Sequence, residues 1–239
     1  MRTMSGYKNT ALLKSDARAS LLGHLSTSVC SIAVYYISVF TLSALISVMQ
    51  AINPILSLIL SSITFLVLDI CSGMLDIGLC MQFLRYQYGK NALVGDLFTA
   101  FRFNSNTCIS VQFALALMDL CFLLPAFILS VMPAGEGSAV MIAFFVLTGL
   151  GMCLLFFRRL VFAMTSFMLL DFPQLTDKQI LRAGYKMMKG HKARLFRLYL
   201  SFIPLLLVGI ISFGTANLWI NSYIHAATAA FYKDRVSHL

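Results

Sequence analysis

Long apolar runs separated by short polar breaks form the main pattern along this 239-residue chain. A helix needs roughly 20 mostly apolar residues to cross the hydrocarbon core of a bilayer. Five runs are long enough, at about Ser26–Met49, Pro54–Leu84, Thr107–Val131, Val140–Phe157 and Leu198–Tyr232. The pattern therefore predicts an all-α fold, a polytopic transmembrane helical bundle.

The last apolar run is too long for one straight crossing. Gly214, Thr215 and Asn217 lie near its middle, where they favour a turn between two short helices. This hairpin gives six spans in total. The alternative has five spans, with Asn217–Tyr232 lying at the outer membrane interface.

Basic residues lie between paired apolar runs. All 18 Lys and Arg residues fall in four groups, at Arg2–Arg18, Arg85–Arg102, Arg158–Arg197 and Lys233–Arg235. The connections Gln50–Asn53, Met132–Ala139 and Gly214–Ser222 contain none. Because Lys and Arg beside membrane spans stay on the cytoplasmic side, this distribution predicts a multi-pass membrane protein with both termini in the cytoplasm.

The same pattern gives the domain organisation, which is a single integral membrane domain. We expect a cytoplasmic amphipathic segment over residues 1–25, the membrane bundle over 26–232 and a short cytoplasmic tail over 233–239.

Composition supports the membrane assignment. The chain is 59% hydrophobic and 11% charged, whereas soluble domains average roughly 45–50% and about 25%. A soluble globular fold and a disordered chain are both excluded. The net charge of +9 then indicates topology and contact with anionic lipid headgroups, and we expect no nucleic-acid partner.

One cytoplasmic segment, Thr176–Lys192, has the pattern of an amphipathic helix. Thr176 and Gln179 have the spacing of an N-terminal capping box. Five cations share one helical face, namely Lys178, Arg182, Lys186, Lys189 and Lys192. Ile180, Leu181, Met187 and Met188 share the opposite face. The pattern predicts contact with anionic lipid. An equally open alternative is that the helix packs on its own bundle and its basic face is solvated. The two interpretations do not exclude each other.

Two further segments, Leu12–Leu22 and Leu93–Phe103, are also candidate interfacial helices. Leu22-Gly23-His24 and Lys189-Gly190-His191 both stand where such a segment passes into an apolar run. The similarity suggests a threefold internal plan, in which an interfacial helix precedes each membrane hairpin.

Three carboxylates lie inside apolar runs, where ionisable groups are costly and are often functional. Asp69 is near the centre of the second run, Asp76 follows on the same helical face, and Asp119 is near the middle of the third. The functional hypothesis is a proton or cation pathway through the bundle. The alternative is a set of structural polar contacts between helices.

Enzyme motifs are absent from the sequence. The chain has no nucleophile elbow, phosphate loop or dinucleotide motif, and its four His residues have no metal-ligand spacing. We therefore expect no enzyme activity, no cofactor and no metal site. The favoured function is a non-enzymatic scaffold or accessory protein of the cell envelope, with membrane lipids and a membrane-protein partner or second copy as its partners. The alternative is a small transporter or permease that uses the three carboxylates.

Several short segments carry a resemblance to a known family. They are Leu169-Leu170-Asp171-Phe172-Pro173-Gln174-Leu175-Thr176, Met187-Met188-Lys189-Gly190-His191-Lys192, Leu195-Phe196, Leu200-Ser201-Phe202-Ile203, Leu218-Trp219, Ala227-Thr228-Ala229-Ala230-Phe231-Tyr232, and Asp96-Leu97-Phe98 with Phe101. This set resembles the DUF975 family of bacterial integral membrane proteins of unknown function, and more distantly the membrane domain attached to some glycerophosphodiester phosphodiesterases. The chain has Phe156-Phe157-Arg158-Arg159 where that family usually carries a Pro-Gly break followed by a Lys. The resemblance implies a location in the bacterial cytoplasmic membrane, with both termini in the cytoplasm as the charges predict, and a role in the bacterial cell envelope. It transfers no catalytic residue.

Overall fold

A computed structural model describes residues 6–47, 54–102, 105–131, 138–212 and 214–238. The helices are α1 Thr10–Leu21, α2 Leu25–Ser47, α3 Pro54–Gln87, α4 Thr99–Arg102, α5 Ser105–Val131, α6 Ser138–Phe162, α7 Thr165–Asp171, α8 Asp177–Met188, α9 Lys192–Leu200, α10 Ile203–Ile211 and α11 Thr215–Val236. A short 3-10 helix, Val94–Phe98, precedes α4. These ranges contain no strand, so the predicted all-α fold is confirmed. The predicted turn Gln50–Asn53 and most of Met132–Ala139 lie outside the described residues.

Five helical stretches are long and apolar enough to cross a membrane, and they follow the five predicted runs in order. They are Leu25–Ala44, Ile59–Gln87, Ser105–Pro125, Met141–Asp171 and Lys192–Ile211. The fourth corrects a prediction, because α6 does not end at Phe157 but continues through Arg158 and Arg159. Arginine favours helix and no Gly or Pro interrupts the chain there.

The last apolar run forms a hairpin, as predicted. Gly214 stands immediately before α11 with φ +86°, a left-handed conformation that glycine adopts without steric cost. A glycine also brings the two helices together, because a Cβ at Gly209 would lie 2.0 Å from Asn217 Oδ1. The hairpin therefore depends on glycine at its turn and at its helix contact.

The second helix of the hairpin, α11, is buried over most of its C-terminal half. α11 is not among the five helices that are apolar enough to cross a membrane. Five is also the number of spans in the five-span alternative. α11 packs against α1, α2, α3 and α10, and its crossing of the membrane stays a prediction. The buried small side chains of Ala226, Ala227, Ala229 and Ala230 permit this close packing.

The two ends of the described chain meet at one end of the bundle. The Lys8 backbone N–H donates to Asp234 Oδ1 at 3.3 Å, and the rings of Tyr7 and His238 are 4.6 Å apart. The described segments next to the two termini therefore lie on the same side of the molecule.

A wide apolar surface surrounds the bundle. Large apolar side chains are exposed on α2, α3, α5, α6 and α10, with Phe40, Met141 and Ile211 each about two-thirds exposed or more. An apolar surface of this extent needs lipid or a partner protein to cover it.

Two turns share one geometry. Leu22 (φ −61°, ψ 123°) and Lys189 (φ −63°, ψ 124°) end α1 and α8, and Gly23 and Gly190 follow with φ +86° and +82°. His24 and His191 donate their backbone N–H to the residue three positions earlier, at 3.0 and 3.1 Å. Both are type II turns, which require glycine at the third position.

The short helices also pack in a regular order. α1 packs on α11, the 3-10 helix on α2 and α3, and α8 on α5 and α6. The 3-10 helix and α8 each contact the helical hairpin that precedes them in the chain. α1 has no preceding hairpin, and it contacts α11 of the last one, so the same order holds if the chain is treated as a cycle. The threefold plan stays a prediction, and both the turns and this packing order agree with it.

Candidate functional site

Asp69 and Asp119 lie near the middle of the bundle, where α3 and α5 approach each other closely. A Cβ at Gly73 would lie 2.5 Å from Gln112 Oε1, and Gln112 Nε2 donates to the Gly73 carbonyl oxygen at 3.1 Å. This contact sets the register of the two helices. It brings the side chains of Asp69 and Asp119 close enough to interact with each other.

Arg158 of α6 completes this group. Its Nε forms an ion pair with Asp119 Oδ1, and the two side chains are only 10% and 3% exposed. Asp69 also interacts electrostatically with Arg158 and Arg159. We call Asp69, Asp119 and Arg158 the buried triad. The sequence analysis placed Arg158 in a cytoplasmic group, although the apolar pattern resumes after it at Leu160, Val161 and Phe162 and could have shown that the helix continues.

Asp76 lies apart from the buried triad. It is about 10 Å further along α3 at 1.5 Å per residue, and its nearest polar partner is the Cys80 Sγ at 4.0 Å. Asp76 interacts electrostatically with Tyr35, Tyr199 and His225. The structure therefore joins two of the three predicted carboxylates and assigns the third to another polar group.

His225, to which the sequence analysis gave no role, belongs to that second group. Its ring stacks on Phe83 at 5.5 Å, and one turn further along α11 the Thr228 hydroxyl lies 3.4 Å from the Tyr199 hydroxyl. Isolated His and Tyr residues on separate helices have no sequence spacing that would group them.

α8 begins as predicted. Thr176 is the N-cap, and its backbone N–H donates to Gln179 Oε1 at 3.0 Å, which closes the capping box. Ile180, Met187 and Met188 are buried against the bundle. The apolar face of α8 is therefore covered by protein, as in the alternative that packs this helix on its own bundle.

The basic face of α8 is left free by this packing. Lys178, Arg182, Lys186 and Lys189 are exposed, and none forms an ion pair with a described residue. Lys192 differs, because its Nζ lies over the rings of Phe157 and Tyr185 at 5.1 Å each. Four of the five predicted lipid contacts thus form one exposed cationic surface, which we call the α8 basic face.

A junction of charged and aromatic groups holds the chain ends together. Asp234 is buried and pairs with Arg194, and the buried Arg235 donates to the Tyr7 hydroxyl at 2.7 Å and to the Met187 carbonyl. The ring of His191 meets the ring of Tyr7 edge-on at 5.0 Å. Burial, and then the charges of Arg235 and Arg194, lower the pKa of His191 below its ordinary value.

The segments that carry the family resemblance have structural contacts. The Tyr232 hydroxyl donates to Asp171 Oδ2 at 2.6 Å, and the Tyr232 ring stacks on Phe167 at 4.9 Å. Two of these segments are thereby joined, although about 60 residues separate them along the chain. The contact ties α11 to the end of α7.

No group of three or more His, Cys, Asp or Glu side chains is placed to hold a metal ion within the described ranges.

Comparison with known proteins identifies the family. The family model DUF975, described as a protein of unknown function, matches residues 4–237. No curated protein and no solved structure matches the chain, and nothing bears on the more distant resemblance to a phosphodiesterase membrane domain. The match extends from before α1 to the end of α11, so it includes α2, α5 and α6, where the residue-level resemblance rested on hydropathy alone. The chain belongs to the DUF975 family.

Proposed function

We propose that this chain is a multi-pass protein of the bacterial cytoplasmic membrane that acts as a non-enzymatic scaffold or accessory protein of the cell envelope. The α8 basic face is the observation that supports the proposal most directly. It lies at the end of the bundle where the chain ends meet, since Arg235 donates to the Met187 carbonyl of α8.

Anionic lipid headgroups are the partner that this face suits best. Its four cations are carried by a helix whose apolar side is already packed, so binding requires no folding step. Each Lys or Arg near an anionic membrane surface contributes about 1 kcal/mol of attraction. A fixed group of four cations would therefore hold this end of the protein against an anionic leaflet and orient it toward a membrane partner.

The test reverses these charges. We expect Lys178→Glu, Arg182→Glu, Lys186→Glu and Lys189→Glu together to reduce the anionic phospholipid that copurifies in mild detergent, and to abolish complementation of a deletion strain. The four matching Gln substitutions should have an intermediate effect. Unchanged lipid content and full complementation in the Glu variant would exclude a role for this face.

The buried triad favours a second candidate, a small transporter or permease. Two carboxylates beside one guanidinium carry a net charge of −1 unless one of them binds a proton. One bound proton makes the side chains of Asp69, Asp119 and Arg158 neutral as a group, which suits a low-dielectric interior. A proton that leaves or enters this group would change its net charge, as a coupled transport site requires.

Matched substitutions separate the two candidates. A transporter predicts that Asp69→Asn and Asp119→Asn abolish complementation while the α8 charge reversal is tolerated. A scaffold predicts the opposite order of sensitivity. Asp76→Asn shows whether the second polar group takes part in the same pathway.

The proposed topology has its own test. The adjacency of Tyr7 and His238 supports placing both termini on one side of the membrane. Reporter fusions at Gly214 and after Leu239 should report outside and inside, respectively. An inside signal at Gly214 would rule out six crossings.

A further inference from the structure

A groove opens between α2 and α3 beside the 3-10 helix. Its volume is about 310 Å³, and its lining comprises Ser38, Val39, Thr41, Leu42, Leu68, Cys71, Ser72, Leu75, Phe98 and Phe101. Two of the hydroxyl groups in this lining bond to their own helices, Thr41 to the Ile37 carbonyl at 2.9 Å and Ser72 to the Asp69 carbonyl at 3.1 Å. These donors are already satisfied, so the groove presents a largely apolar wall.

A second cavity of about 250 Å³ borders the same short helices. Met81, Arg85, Leu93, Gly95, Asp96, Thr99 and Arg102 line it. The part of α3 that lines this cavity begins six residues, or about 9 Å, beyond the part that lines the groove. The 3-10 helix and α4 thus contribute side chains both to the groove and to the second cavity.

The charges of the second cavity favour an anion. Arg85 Nη1 forms a 2.7 Å ion pair with Asp96 Oδ2, and the same carboxylate oxygen accepts the Leu93 backbone N–H at 2.9 Å. Asp96 is thus neutralised by Arg85. Arg102 is exposed and forms no ion pair with a described residue, which leaves one net positive charge at the cavity.

A close helix contact fixes these two cavities relative to each other. A Cβ at Gly78 would lie 1.9 Å from the Leu97 carbonyl oxygen, so only glycine lets the 3-10 helix approach α3 this closely. Leu97 is fully buried in the contact, whereas Phe98 and Phe101 are 40% and 45% exposed. The short helices therefore present aromatic side chains at the groove and Arg102 at the cavity.

We infer that these two cavities form one binding site for an anionic phospholipid, with an acyl chain in the groove and the phosphate beside Arg102. Phe101 at the groove and Arg102 at the second cavity are consecutive residues of α4, so one molecule with an apolar chain and one negative headgroup can contact both. A zwitterionic phospholipid carries a second, positive group that Arg102 repels. Selection between the two lipid classes is therefore the property that the site confers.

This site is separate from the α8 basic face, which the proposed function uses. It lies against α2 and α3, whereas α8 packs against α5, α6 and α7. The inference shares with the proposed function only the premise that the chain lies in an anionic membrane.

The native chain contains a single tryptophan, Trp219, which allows a sharp test. Trp219 is 67% exposed on α11 and does not line the groove, so the native protein reports on lipid away from the site. The variant Trp219→Phe with Phe101→Trp places the only tryptophan in the groove. Both full-length proteins are reconstituted in bilayers that contain brominated anionic or brominated zwitterionic phospholipid, and fluorescence quenching gives the relative association of the two lipids at each tryptophan.

We expect a roughly fivefold preference for the anionic lipid at position 101, the factor that one basic residue near an anionic headgroup supplies, and little preference at Trp219. Adding Arg102→Gln should remove the preference at position 101. Ser72→Phe, which fills the groove, should lower quenching by both brominated lipids. Equal preferences at the two positions, or a preference that survives Arg102→Gln, would overturn the assignment.

The α8 charge reversal serves as the distinguishing control. Introduced into the groove reporter, it should leave the preference at position 101 unchanged even where it abolishes complementation. Loss of the preference in this variant would mean that the α8 basic face, and not Arg102, attracts the lipid. Circular dichroism and gel filtration of each variant establish that the bundle is folded.

Discussion

Arg158 and the α8 basic face use cations in opposite ways. The Arg158 guanidinium is enclosed between α5 and α6 and paired with Asp119, whereas the four α8 cations are exposed and have no ion-pair partner among the described residues. A buried charge that loses its partner is strongly destabilising, while an exposed charge contributes little to stability. The comparison predicts that stability depends on Arg158 and the proposed surface binding on the α8 cations, although the two groups lie within 32 residues of chain.

The largest expected effect comes from breaking the buried pair. Asp119→Ala leaves Arg158 without its direct ion-pair partner in the interior and should lower the free energy of unfolding by about 3–5 kcal/mol. The measurement is the thermal unfolding midpoint in a fixed detergent. Asp69→Asn keeps a polar group at the neighbouring position and should cost less.

A double substitution sharpens this result. Asp119→Leu with Arg158→Met replaces the pair by apolar side chains of similar volume and should recover most of the loss. Stability that stays as low as in Asp119→Ala would contradict a purely pairwise origin for the effect.

Two glycine substitutions, one at a close helix contact and one in open space, extend the contrast between interior and surface to positions without charge. Gly78→Ala would place a Cβ against the Leu97 carbonyl oxygen, a backbone atom with no freedom to move aside, and should destabilise by about 1–3 kcal/mol. Gly149→Ala is the matched control, because no atom lies within 4 Å of a Cβ there. We expect it to leave stability unchanged or to raise it, by up to about 1 kcal/mol, and equal losses in both variants would refute the packing argument.

A smaller, pH-dependent effect is expected at the junction of the chain ends. Burial and the neighbouring Arg235 and Arg194 lower the pKa of His191 in the folded state, against an opposing influence of Asp234. The unfolded state therefore binds more protons, so this contribution to stability is present above the ordinary His pKa near 6.5 and is lost as the pH falls through the folded-state value. His191→Gln should reduce the fall in unfolding midpoint between pH 7.5 and pH 5.5, with unfolding scans at several pH values as the measurement.

The smallest effect on stability should come from the α8 basic face. Reversing its four exposed charges should change the unfolding midpoint little, since surface substitutions usually shift stability by within about 0.5 kcal/mol each. Binding of anionic lipid should fall strongly in the same variant. A large loss of stability would show that these cations support the fold after all, and would remove the contrast with Arg158.

Much of the architecture could be predicted from the order of apolar and polar residues. Five runs predicted five apolar helices, Gly214 predicted the last turn, and Thr176 with Gln179 predicted the start of α8. These features depend on neighbours within a few residues, such as a capping side chain or a positive φ. The candidate site was predicted less completely, because Asp69 and Asp119 were chosen for their depth in apolar helices and Arg158 was not.

The position of α11 shows why other parts of the fold could not be predicted from the sequence. Asn217 begins the segment that the five-span alternative placed at the outer membrane interface, yet α11 packs against α1, α2, α3 and α10. The burial of α11 depends on contacts between helices that are far apart in the chain.

The amino-acid order alone predicted a helical membrane protein, the succession of its apolar helices and the two faces of α8. It could do so because helix propensity, amphipathic period and hydropathy are local properties of the chain. Three-dimensional packing decided that Asp119 meets Arg158, that Asp76 joins His225 instead, and that the apolar face of α8 is buried in protein. Each of these depends on the register between antiparallel helices. That register is set by close contacts such as the one between Gly73 and Gln112, which no pattern within a single helix specifies.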